Sequence, residues 1–169
     1  LLPETPGSTA VVVALSNLKA IEGDREASLA VINGGLEVNP DNRALLFAKA
    51  GMLERNRDFE GAIAIYEKLY AENSASVVIA NNLASTITTY RDSREDLERA
   101  YTVARRLRNT QVPAFQDTYG WIAARLGNYD EALSYLESAA AALPNEPLAQ
   151  FHLAETYAGL GRKAEAVAT

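Results

Sequence analysis

Apolar residues return every three or four positions along most of the chain. Ala62, Tyr66 and Leu69 follow this spacing, as do Ala100, Ala104 and Leu107, and Ala132 and Ala139 lie one heptad apart. This is the period of an amphipathic helix rather than of a strand. Short polar or glycine-bearing breaks divide the runs, and four of them open into similar segments: GDREAS from Gly23, RDFEGA from Arg57, GNYDEA from Gly127 and GRKAEA from Gly161. Proline marks the other joints, at Leu2-Pro3-Glu4-Thr5-Pro6, Val38-Asn39-Pro40 and Leu143-Pro144-Asn145-Glu146-Pro147. Pro6 and Pro40 are 34 residues apart, and Ser74 falls 34 further on. The pattern predicts pairs of antiparallel helices, a Gly or polar turn ending the first helix of each pair and a proline-marked loop ending the second.

These residues resemble the tetratricopeptide repeat. The clearest copy runs from 113 to 146. In it Tyr119-Gly120 stand as the large-small pair of the first helix, Gly127 as the turn, Tyr129 as the aromatic after it, Ala132 and Ala139 as the small positions and Pro144 as the closing proline. Units at 9–42 and 43–76 are looser copies, and one at 147–169 stops inside its second helix. Residues 1–8 read as the end of a preceding unit. The unit at 77–112 departs from the pattern: about four extra residues are expected around Tyr90 to Ser93, as a longer turn or an extended helix end, with a correspondingly short closing loop. The resemblance implies an all-α, right-handed superhelical solenoid of antiparallel helix pairs, forming one array over 1–169 with no single central core.

Composition agrees with this picture. Thirty alanines stand against thirteen aromatics, which suits closely approaching helices and argues against a β-sandwich or barrel, while 48% hydrophobic content argues against disorder. Gly34-Gly35 fall inside the second helix of the first unit, where close packing, a frayed end or a hinge could each account for them. Leu1-Leu2 at one end, and the Leu153 and Tyr157 face at the other, are expected to be covered by further repeats, a partner or a homo-oligomeric contact.

A net charge of −6 repels polyanions and makes nucleic acid a poor partner. Arg91 to Arg108 holds six arginines against four acids, a run best read as a salt-bridged helix face. No run of apolar residues approaches a membrane span, so no direct membrane insertion is expected. No address signal is legible, and the compartment stays open between the cytoplasm and a bacterial periplasm or cell envelope.

Catalytic chemistry finds little support. There is no cysteine, and His152 is the only histidine, expected on a helix surface or half buried. No nucleophile elbow, HExxH, calcium loop or phosphate loop is present. No catalytic residue, metal or cofactor is therefore expected, and the chain reads as a non-enzyme.

In the resembled family the first helices line a concave groove that grips a peptide or helix of a partner protein. Carried over position by position, the groove-facing residues are Asn17 in the first unit, Phe47 and Arg55 in the second, and Asn81 and Ser85 in the third. Asp117, Trp121 and Arg125 follow in the fourth, and Phe151 and Glu155 in the fifth; Val13, Ile21, Gly51 and Thr89 share the register. Trp121, the sole tryptophan, is the sharpest candidate, as groove anchor or as packing against the next repeat. The basic clamp for a terminal carboxylate is not reproduced. NNLA at Asn81 and DTYGWIAARLGNYDEAL at Asp117 are similar to bacterial multi-repeat proteins, including those of exopolysaccharide export or PEP-CTERM sorting systems. The expected function is a non-catalytic scaffold in a larger assembly; the alternative is an accessory domain that positions substrate for a glycosyltransferase or peptidase elsewhere in a parent chain.

Overall fold

The computed structural model describes residues 8–169, so the expectations for Leu1-Leu2 and for the end of a preceding unit lie outside the described residues. Helices pair in chain order: α1 Thr9–Ile21 with α2 Arg25–Val38, α3 Arg43–Arg55 with α4 Phe59–Glu72, and α5 Val77–Tyr90 with α6 Arg94–Ala104. Then come α7 Pro113–Arg125 with α8 Tyr129–Ala142, and α9 Pro147–Gly159 with the short α10 Lys163–Ala168. A 3-10 turn, Arg105–Leu107, extends α6. The chain divides into two compact units, one ending at Asn73 and one spanning Ser74–Thr169.

Local chemistry sets the helix boundaries. Asp24, Asn42, Asp58, Ser76 and Ser93 each accept a hydrogen bond from the amide three residues on, capping α2 to α6; such a cap contributes about 1 kcal/mol. Pro113 and Pro147 open α7 and α9, where a missing N–H costs nothing. Gly23, Gly127 and Gly161 take positive φ just after α1, α7 and α9, and Arg57 takes the same conformation after α3. At each of these turns the next amide donates back into the helix, as Asp58 N–H does to the Leu53 carbonyl at 2.8 Å.

The third pair turns differently, and the expected four-residue insertion is corrected. Its turn, 91–93, is three residues long like the others, with Arg91 extended (φ −126°) in place of a left-handed residue. The additional length is one residue of α5 and one of the closing loop 108–112, which is longer than the other closing loops rather than short.

In the first unit α1 and α2 meet at a serine pair. Ser28 Oγ donates to the Ser16 carbonyl at 2.7 Å, and Ser16 Oγ donates to the Ser28 carbonyl at 3.1 Å. Both are buried, so each hydroxyl is satisfied where a small side chain is required. Gly35 is a packing glycine: a Cβ there would lie 2.9 Å from both Leu45 and Val12, whereas Gly34 faces open space.

In the second unit Ala123, Ala124, Ala132, Leu136, Ala140 and Leu153 form one cluster, joined by Tyr157 and Trp121 at its edge. Of the Leu153 and Tyr157 face expected to be partly uncovered, Leu153 on α9 is buried in this cluster, while Tyr157 stays partly exposed. Gly120 is the small half of its pair because Leu136 Cγ would stand 2.7 Å from any Cβ. Around the buried Tyr119, Glu131 accepts hydrogen bonds from Tyr101 (2.6 Å), Tyr119 (2.6 Å) and Arg108 (2.7 Å), tying α6, α7 and α8. Burial pushes the Tyr119 hydroxyl well above the ordinary tyrosine range, aided by its bond to Glu131.

Candidate functional site

Three first helices of the second unit, α5, α7 and α9, enclose a cavity of about 220 Å³. Its floor is aromatic. The Trp121 and His152 rings stack at 4.2 Å between centroids and 12° between planes, and Phe151 lies 5.9 Å from Trp121. His152 is buried, which corrects the expectation of a surface or half-buried residue. With Nδ1 carrying its proton, it donates to the Asp117 carboxylate, both of whose oxygens lie 3.0 Å away. This bond links α7 to α9 and fixes the ring on which Trp121 stacks.

The walls are mostly apolar. Ile122 is buried behind, while Leu148 and Phe151 remain 57% and 51% exposed beside the opening. Thr88, Thr89 and Thr118 also line it, each donating its hydroxyl proton to a carbonyl of its own helix. Their hydroxyls therefore keep acceptor capacity only. Arg125 closes one end: its guanidinium donates to the Thr88 carbonyl at 2.9 Å and to Asp92 at 2.7 Å, and lies 5.8 Å from the Trp121 ring centre.

Of the residues expected from the repeat register, Ser85, Thr89, Asp117, Trp121, Arg125 and Phe151 thus come together. Glu155 lines a neighbouring depression with Trp121, Arg125 and Tyr129. Asn81 stands outside the cavity, partly buried, with its amide nitrogen 3.3 Å from the Asn82 side-chain oxygen. Trp121 packs on α9 and also lines the opening. Leu148, Thr88 and Thr118 are additions that the register does not supply. The Asp117–His152 bond is another, although both residues sit near the start of successive first helices, an arrangement the repeat register could have revealed.

The first unit gathers its own set. Asn17, Phe47 and Arg55 line one concavity with Val13, Gly51 and Met52, and Phe47 packs edge-on to Tyr66 at 5.9 Å. Arg55 also lines an adjoining depression with Arg25, Ser28 and Asn56.

Among the described residues no group of three or more His, Asp or Glu could hold a metal ion, and no helix is long and apolar enough to cross a membrane. The charged run behaves as a paired face: Arg91 meets Asp96 at 3.1 Å and Arg94 meets Glu98 at 2.8 Å.

Two family models described as tetratricopeptide repeat match residues 15–77 and 123–169, together well over half of the chain. The chain belongs to the tetratricopeptide repeat family. The TPR repeat-containing protein PA4667 of Pseudomonas aeruginosa is 28% identical over 146 residues, which cover 84% of this chain and 23% of that protein. The chain therefore spans about a quarter of the length of this relative. Among solved structures, the thermophilic tetratricopeptide protein TTC0263 of Thermus thermophilus is similar with 24% identity and a TM-score of 0.71, covering 95% of this chain and 87% of that one. YrrB, described as a TPR protein with an unusual peptide-binding site, is similar with 18% identity and a TM-score of 0.74, at 98% and 84% coverage. MamA from Desulfovibrio magneticus RS-1 gives 11% and 0.79, at 97% and 91%. At these identities the likeness is one of fold, and it establishes the expected α-α superhelical class. Tetratricopeptide chains are in general non-catalytic scaffolds for protein or peptide partners, and that coarse role fits this chain.

Proposed function

We propose that the chain is a non-catalytic interaction scaffold whose first helices bind a peptide segment or helix of a partner protein, within a larger bacterial assembly. The observation that carries this reading is the cavity between α5, α7 and α9, where Leu148 and Phe151 stay half exposed over a Trp121–His152 floor. Exposed apolar side chains around a preorganised concavity suit an apolar anchor residue with polar contacts at the rim. The residues proposed to meet it are Ser85, Asp117, Trp121, Arg125, Phe151 and Glu155 in this unit, and Asn17, Phe47 and Arg55 in the first. Asn81 stays a candidate at the far end of α5.

The test is capture of the native partner by variants. Leu148→Ala with Phe151→Ala is expected to lower capture at unchanged helical content, whereas Ser134→Arg on α8 leaves it intact. Loss of capture with Ser134→Arg alone would refute the assignment.

A further inference from the structure

Arg55 and Arg125 end α3 and α7 at the same place in the repeat, yet their surroundings differ. Arg125 is held by Asp92 and the Thr88 carbonyl. Arg55 forms no ion pair or side-chain hydrogen bond among the described residues, and neither does Arg25, which shares a depression with it. No carboxylate lines this depression or the adjoining concavity that contains Phe47. Two solvent-exposed guanidinium groups that pair with no carboxylate are notable in a chain of net charge −6, where acids elsewhere find cations readily. Next to them Phe47, Val13 and Met52 supply an apolar recess.

Resting on the groove reading above, we infer that the first unit selects an acidic-apolar segment of the partner. A side-chain carboxylate sits between Arg25 and Arg55, and a bulky apolar side chain enters beside Phe47. Guanidinium groups pair with carboxylates through short, charge-assisted bonds, and an unpaired cation offers that interaction without first losing an internal partner. A nucleic acid is disfavoured by the negative net charge and by the want of a cationic stripe, since phosphate tracking needs several aligned charges.

The experiment uses three pools of short randomised peptides, acetylated and amidated so that no terminal charge contributes. One combines Glu and Asp with Leu and Phe, a second replaces the acids by Lys, and a third replaces the apolar residues by Ser. Binding is measured by anisotropy at two salt concentrations. The acidic-apolar pool is expected to bind best and more weakly in high salt. Arg25→Ala with Arg55→Ala should weaken it roughly tenfold or more, and Arg25→Glu with Arg55→Glu should reverse the preference towards the Lys pool.

Both residues are exposed, and circular dichroism of each variant checks that the fold is kept. Equal binding of acidic and basic pools, or an unchanged ranking in the Glu variant, overturns the inference. The groove reading then stands on its own if Phe47→Ala or Phe151→Ala still lowers binding. Binding of no pool overturns both. Tighter binding of an oligoribonucleotide, lost in the Glu variant, overturns the peptide assignment in favour of nucleic acid.

Discussion

Asp117 and His152, one repeat apart on α7 and α9, are joined by a hydrogen bond in which Nδ1 lies 3.0 Å from both carboxylate oxygens. The bond does more than tie two helices, because it sets the ring on which Trp121 stacks. Asp117→Ala leaves the buried imidazole without its partner. It is expected to destabilise the chain by roughly 1–3 kcal/mol and to change the fluorescence of the single tryptophan. Urea unfolding and emission spectra check this; unchanged values in both would remove the bond from the account.

The serine pair between α1 and α2 should be coupled. Ser16→Ala and Ser28→Ala each remove half of a reciprocal arrangement, so each is expected to cost about 1 kcal/mol. The double variant should cost less than the two together, because the two Oγ atoms also lie 3.0 Å apart and either single variant already removes that shared contact. A double-mutant cycle by denaturation reads the coupling directly.

Adjacent glycines should respond in opposite directions. Gly34→Ala gains helix propensity in open space and is expected to stabilise by roughly 0.5–1 kcal/mol. Gly35→Ala gains the same propensity but drives its methyl against Leu45 and Val12, so net destabilisation of about 1 kcal/mol is expected. Equal effects would show that the α1–α2–α3 packing is looser than described.

Glu131 predicts the sign of an acid effect. Its burial opposes the charged form, but hydrogen bonds from Tyr101, Tyr119 and Arg108 outweigh that and hold the carboxyl below its ordinary value of 4.5. A carboxyl depressed on folding contributes stability that is fully present above its unfolded value and is lost as pH falls through the folded one. Stability should therefore decline below about pH 4.5, and less steeply in Glu131→Gln. Parallel slopes for the two proteins would contradict this role.

Much of the fold is legible in the sequence because its determinants are local. The turn glycines Gly23, Gly127 and Gly161, the capping Asp24 and Asp58, and the prolines at 113 and 147 each act within a few residues, so the repeat register follows from them. The register also places six candidates around one cavity, since residues at matching positions of successive first helices must share a face. What escapes the sequence depends on contacts between helices. The third turn is located but its length is misread, because Arg91 closes it in an extended conformation with no glycine to mark the helix end. His152 reads as an isolated residue because its partner lies 35 residues away. The different circumstances of Arg55 and Arg125 follow from whether an acid such as Asp92 stands within reach, which spacing alone does not show.

The central claim is that the faces lined by the first helices carry the partner. Site-specific photo-crosslinking in the native cell tests it most directly, with a photoreactive side chain placed in turn at Phe47, Leu148 and Ser134. Adducts with a partner protein are expected from Phe47 and Leu148, and none from Ser134 on α8. Adducts from Ser134 alone would contradict the account.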